Sequence, residues 1–357
     1  MITNNHNVFK EGGKKMKKNF SIVTLCSIAL ACMIFTPTFV SADDMKVDIP
    51  YIKPVKKELR LAHGLTPGSP YDKGCHRFAE LVEMYTRGEI KIKIFPSAQL
   101  GKEQVTAKMV QIGTLDISLQ AVNNSTMWYR PMDIYIMPFI FRDREHVNKV
   151  LFGSVGQKLE QEYIKASGMR IVSWFEWGDR SIFNKVKAIT KPDDLNGVKI
   201  RVPKNPVMVD TYNTLGANAT AIDWGELYSA LQQGLADGLE GPPQGMIDMK
   251  FYDFLKYYSY INVFYGLADL VINEKFFQGL SKENQEALLR AGREAGAYQR
   301  WISTVSHVEG LENLAKLGVK VNKVKDRQAF VDKVQPVWSK YRKKLGDELF
   351  DAIINTK

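Results

Sequence analysis

Between Leu59 and Gln120 the chain alternates two hydrophobic periods, and this alternation restricts the available folds more than any other feature. "LRLAH" is a short strand, followed by a loop carrying Pro67, Gly68 and Pro70. Phe78, Leu81, Val82 and Tyr85 then recur at helical spacing, with Gly88 placed to end the helix. "EIKIKIF" alternates strictly, as a strand does. Val105, Met109 and Val110 line another helix stopped near Gly113, and "LDISLQ" is the strand after it. Strands alternating with helices imply a mostly parallel sheet with helices on its faces.

The pattern restarts near Met169. "MRIVSWFEWG" and "RSIFN" look like two strands, and "GVKIRV" follows the turn at Pro192-Asp193-Asp194. A helix is expected near Asp210. "DWGELYSALQQG" carries the clearest helix signal: Asp223 can cap it, Glu226 can reach back, and Leu227, Ala230 and Leu231 share a face before Gly234. The last ninety residues are mostly helical, with Glu283 to Lys316 as one long helix and Val334, Trp338 and Tyr341 lining a final one. The fold class is therefore α/β. Two halves without a flexible linker suggest lobes joined by strands that pass between them, with a binding cleft at their interface.

The first 42 residues are not part of that fold. Lys14, Lys15, Lys17 and Lys18 form a basic region ahead of an apolar run from Phe20 to Phe35, and Val40-Ser41-Ala42 supplies small residues for cleavage before Asp43. A lipid anchor at Cys32 would need a better match than Ala29-Leu30-Ala31. Removing five lysines and one glutamate with the leader leaves 44 basic and 38 acidic side chains, a net charge of +6 over 315 residues. That balance is too mild and too interspersed for a nucleic-acid partner. Only Cys75 remains, so a large core rather than a disulfide holds the exported chain together.

"GVKIRVPKN" raises a sharper question. Val198, Ile200 and Val202 alternate with Lys199 and Arg201, and Pro203 ends the strand just past the arginine. Either the polar face meets water, or Arg201 is an anion-binding group at the lip of a cleft; the pattern alone leaves both open. Catalytic signatures are scarce. His63, His76, His146 and His307 have no zinc-site spacing, Cys75 and His76 are helix neighbours that do not face each other, and "GSVGQK" is only half a phosphate loop. Trp224, at a helix start, and Arg180, just past a long strand, fit an anion site.

The segments "IFPSAQLGKEQVTAKMVQIGTLDISLQ", "PFIFRDREH", "DDLNGVKIRVPKN" and "LGANATAIDWGELYSALQQGLADGLEGP" make the chain recognisable. It resembles the DctP-like solute-binding subunits of tripartite ATP-independent periplasmic (TRAP) transporters, in family order, from Leu59 to about Phe350. The resemblance implies two lobes of the type II periplasmic binding protein kind, hinge strands and a long bracing helix. It assigns 43–178 with about 266–306 to lobe I, and 179–265 with about 307–357 to lobe II. It places the carboxylate-binding arginine at Arg201, a second anion contact at Arg180 and a ligand-packing aromatic at Trp224. Members that bind sialic acid read "GQENP" where this chain has Gly238-Leu239-Glu240-Gly241-Pro242, and carry an asparagine where this chain has Gly64. Contacts are then expected from Glu240, Gly241, His63, Gln120 and Asn123. The loss of polar side chains points to a small or partly apolar anion.

The expected function is a periplasmic receptor that binds a carboxylate or sulfonate and delivers it to TRAP permease subunits. The chain is expected to be a monomer without cofactor, metal or catalytic residue. Two rivals are a sensor presenting the same anion to a kinase or chemoreceptor, and an enzyme on the same scaffold.

Overall fold

The computed structural model describes residues 55–357. The leader, its cleavage site and the Cys32 anchor lie outside the described residues. Within them, β1 (Lys57–Ala62), β2 (Ile90–Phe95) and β3 (Ile117–Ala121) form a parallel group, and β5 (Lys199–Val202), β6 (Asn218–Ala221) and β7 (Gly238–Gly241) form another. Between them run two long antiparallel strands, β4 (Met169–Asn184) and β8 (Tyr257–Asn273). The strand order is β2-β1-β3-β8-β4-β7-β5-β6, with β9 (Lys320–Lys323) added beside β8. The mixed sheet thus differs from the mostly parallel one expected. Each group is parallel internally, and the spine that joins them is antiparallel.

"MRIVSWFEWG" and "RSIFN" are one strand of 16 residues, not two. β4 and β8 are buried on both faces along most of their length, so they read as continuous apolar runs without a period. Their ladder breaks at Ile171/Ser173, Glu176/Gly178 and Arg180/Ile182. The expected lobe boundaries, 178/179 and 265/266, face each other across this ladder, where Gly178 pairs with Gly266 and Asp179 with Tyr265.

Among the described residues four apolar clusters cover the sheet. Leu61, Phe78, Phe175 and Leu270 belong to one and Ile134, Tyr163 and Val271 to the next, both around the first strand group. Ile200, Tyr212 and Phe330 centre the third, and Phe183, Leu227 and Phe251 the fourth. The helix Lys282–Lys316 lies along β4, where Ser173 Oγ donates to the Gly292 carbonyl at 2.6 Å. Gln299 receives the Glu176 backbone N–H and donates to the Glu176 carbonyl, both at 2.8 Å. Phe350 and Ile353 of the last helix, Asp347–Ile354, join a cluster that holds Val147 and Tyr163 beside the first strand group as well as Val207, Val337 and Tyr341 from the second half.

The cap expected at Asp223 does not form. Trp224–Glu226 make a 3-10 turn before the helix Leu227–Gln232, and among the described residues no side chain caps it. Two lysines take the Asp223 carboxylate instead, as described below.

Candidate functional site

Strand β5 carries Ile200 and Val202 into the core, which fixes Lys199 and Arg201 on the opposite face. Lys199 is exposed, yet Arg201 is only 3 % exposed, because chain from both halves of the sheet closes over it. Its side chain borders a cavity of about 240 Å³. Thr66, Glu103, Gln104, Asn123 and Asn124 line this cavity from the first half, and Arg180, Lys204, Ile222 and Trp224 from the second.

Among the described residues Arg201 makes one hydrogen bond, from Nε to the Ile222 carbonyl at 2.8 Å, and no ion pair. The guanidinium carbon sits 5.7 Å from the centre of the Trp224 ring. Burial pushes its pKa down to about 10, with Arg180 acting the same way and Glu240, Asp223 and Glu103 opposing. It is still a cation at neutral pH. A buried guanidinium with its terminal N–H groups unspent is matched by a planar carboxylate.

Arg180 also borders the cavity, but its charge is compensated. Nε and a terminal nitrogen donate to the two Glu240 oxygens at 2.5 and 2.6 Å. Burial opposes the Arg180 charge, yet the Glu240 carboxylate holds the guanidinium above its ordinary value. Trp224 forms a wall, edge-on to Trp177 and Phe251 at 5.1 and 5.7 Å between ring centres.

The other expected contacts divide. Asn123 reaches the cavity, and its Oδ1 is buried without a partner among the described residues. Glu240 does not line it; it is the fully buried counter-ion of Arg180. Gly241 does not line it either, and an added Cβ there would lie 2.6 Å from Met246 Cε. His63 is 2 % exposed and bonded to Asp72 at 3.1 Å. Gln120 is fully buried, donating to Ser125 at 2.9 Å and Asp269 at 3.1 Å. Both lie behind the wall. Strand alternation explains Gln120, whose neighbour Ala121 takes the cavity side.

Glu103 was not anticipated. Its Oε2 receives the Ala121 backbone N–H at 3.1 Å and Asn124 Nδ2 at 2.6 Å, while Oε1 has no partner among the described residues. Gly64 stands opposite, and a Cβ there would lie 3.6 Å from Oε1, so the missing side chain leaves this oxygen open to the cavity. Burial raises the pKa of Glu103, opposed by the Ala121 N–H and by Arg201 and Arg180. A glutamate in the first turn of a helix (Glu103–Gln111) is ordinary dipole chemistry, so no sequence signal separates it from a surface residue.

At the rim, Lys102 from the first half bonds Asp223 at 2.9 Å and Glu226 at 2.6 Å, and Lys204 bonds Asp223 at 3.0 Å. The two halves therefore meet through charge beside the cavity.

Residues 61–344 match the family model described as bacterial extracellular solute-binding protein, family 7 (DctP). The 2,3-diketo-L-gulonate-binding periplasmic protein YiaO of Escherichia coli is 32 % identical over 72 % of this chain and 78 % of its own length. A TRAP periplasmic solute-binding protein from Polaromonas, bound to D-erythronate, superposes with a TM-score of 0.82 at 30 % identity, covering 84 % of this chain and 99 % of that one. Another, from Roseobacter denitrificans with bound β-D-glucuronate, gives 0.81 at 27 % identity over 84 % and 100 %. The chain is a member of the bacterial extracellular solute-binding protein family 7, the DctP family of TRAP solute receptors.

Proposed function

We propose that the chain is an extracytoplasmic receptor that captures a small hydroxylated carboxylate and passes it to a TRAP permease. The observation that carries this is Arg201: a buried guanidinium with no carboxylate partner among the described residues, facing a cavity. Keeping a cation in that state is unfavourable unless an anion joins it. Arg201 binds the carboxylate and Arg180, already neutralised by Glu240, adds N–H groups. Trp224 packs on the ligand's flank.

The opposite wall decides the rest of the molecule. Among the described residues Glu103 Oε1 and Asn123 Oδ1 are acceptors without donors, and a carboxylate would be repelled by the first. Hydroxyl groups supply those donors, so the acid group lies toward Arg201 and the hydroxylated end toward Glu103. This replaces the small or partly apolar anion expected from the missing asparagines. The acids carried by the E. coli, Polaromonas and Roseobacter relatives are of this kind.

The test is calorimetry on the mature protein, unfolded and refolded to strip any bound ligand, against erythronate, gluconate, glucuronate and succinate. A hydroxy acid should bind at least tenfold more tightly than succinate, and Arg201→Ala should remove about 2–5 kcal/mol of its binding free energy. Unchanged affinity in Arg201→Ala would refute the anchor; a preference for succinate would refute the hydroxyl reading.

A further inference from the structure

Adjacent residues of a strand point to opposite faces, and at the centre of the spine both faces are hollow. On β4, Arg180 borders the cavity already described, while Asp179 borders a second one of about 380 Å³. On β8, Gly266 and Leu267 belong to the first and Tyr265 to the second. The second cavity lies where the β4–β8 ladder breaks between Arg180 and Ile182. Asn262 and Phe139, both on its lining, hold positive φ of 59° and 58°.

Its charged groups are unevenly committed. Asp143 accepts the His146 N–H as a helix cap, Asp179 accepts the Tyr260 hydroxyl at 3.2 Å, and Arg142 donates to the Ile354 and Thr356 carbonyls. Lys323, Lys325 and Arg327 complete the set. Among the described residues neither lysine side chain makes a hydrogen bond or ion pair. Arg327 makes one bond, Nε to the Ile261 carbonyl at 3.3 Å, with its guanidinium 4.7 Å over the Phe139 ring. Four cations against two carboxylates leave a surplus of two positive charges on this wall.

The geometry points to a second anion site here, distinct from the cleft, that takes a compact, multiply charged oxyanion. A monoanion would leave half of the surplus uncompensated. A dianion or trianion satisfies Lys323, Lys325 and Arg327 together, and the phenyl ring under Arg327 holds that guanidinium in place. Because the site backs onto the strands that carry Arg180, its occupant also braces the junction between the two halves.

The experiment is calorimetry on the mature protein with pyrophosphate and with citrate, at constant ionic strength. One of them should bind saturably, and whichever does identifies the site as phosphate- or polycarboxylate-type. The double variant Lys325→Gln/Arg327→Gln should weaken that binding about tenfold or more, and Arg201→Ala should leave it unchanged. Lys323→Gln, an exposed position, reads the same site if the double variant folds poorly. The proposal is overturned if neither anion binds saturably or if these substitutions change nothing. It is also overturned if Arg201→Ala abolishes the binding, which would place the anion in the cleft. None of these outcomes depends on the nature of the cleft ligand.

Discussion

The two oxygens of Glu103 are in different circumstances, and a conservative substitution separates them. Oε2 receives two donors, so in Glu103→Gln the amide oxygen must take that place and the NH₂ must face the cavity. An acceptor for ligand hydroxyls becomes a donor. Calorimetry should show hydroxy-acid binding weakened by about 1–3 kcal/mol while succinate is unaffected or improved. Equal losses for both would mean that Glu103 is only structural. Asp269 supports a second residue-scale prediction. It is fully buried beside Gln120 and Ser125, and burial pushes its pKa up to about 7 against those two hydrogen bonds. The folded state therefore holds the proton more tightly than the unfolded chain, whose aspartates titrate near about 3.9. Its contribution is most favourable below that value and declines as pH rises to about 7. In urea titrations Asp269→Asn should match the parent near pH 4 and exceed it by about 1–3 kcal/mol at pH 8. A parent whose stability is flat over that interval would contradict it.

The long helix Lys282–Lys316 shows what holds an element in place here. Ala291, Gly292, Ala295 and Gly296 form a narrow buried face against β4, and a Cβ added at Gly292 would lie 1.8 Å from the Val172 carbonyl oxygen. That neighbour is backbone in a central strand and cannot turn aside. Gly292→Ala should cost about 2–4 kcal/mol by denaturant titration, although alanine is the better helix former. A neutral or stabilising result would mean that helix and strand separate freely. This element was legible in sequence because thirty-five helical residues need no help from their neighbours to be seen. The strands β1, β2 and β5 were legible for the same reason, since the alternation in their sequences is a local property. β8 was not: buried on both faces, it has no period, and its pairing with β4 is set by residues some ninety positions away. The site divides along the same line. Arg201, Arg180, Trp224 and Asn123 were named and do border the cavity, whereas His63, Gln120, Glu240 and Gly241 fall one layer behind it. Whether a polar residue faces a cavity or a core network depends on strand facing and on the opposite half, which spacing does not encode.

On the scale of the whole molecule, the two halves are tied by shared strands, by buried hydrogen bonds from Asn205 Nδ2 to Asp133 Oδ1 at 3.1 Å and to Thr126 Oγ1 at 3.3 Å, and by charge at the rim. β4 and β8 run through both, while Lys102 meets Asp223 and Glu226 at the rim. On the proposed function, a ligand that bonds Arg201 on one side and Glu103 on the other would add a contact that exists only when the halves are together, and would shift the population toward a form closed over it. The rim pair is a weaker fastening. Lys102 is nearly half exposed, water and salt screen its charges, and such pairs contribute little. Small-angle scattering should therefore record a smaller radius of gyration on adding the hydroxy acid. Arg201→Ala should abolish that contraction. Lys102→Ala should keep it, with affinity reduced less than about fivefold at low salt and not at all at high salt. If Lys102→Ala instead removed the contraction, the rim charges rather than the bound anion would govern closure, and Arg201 would be left with recognition alone.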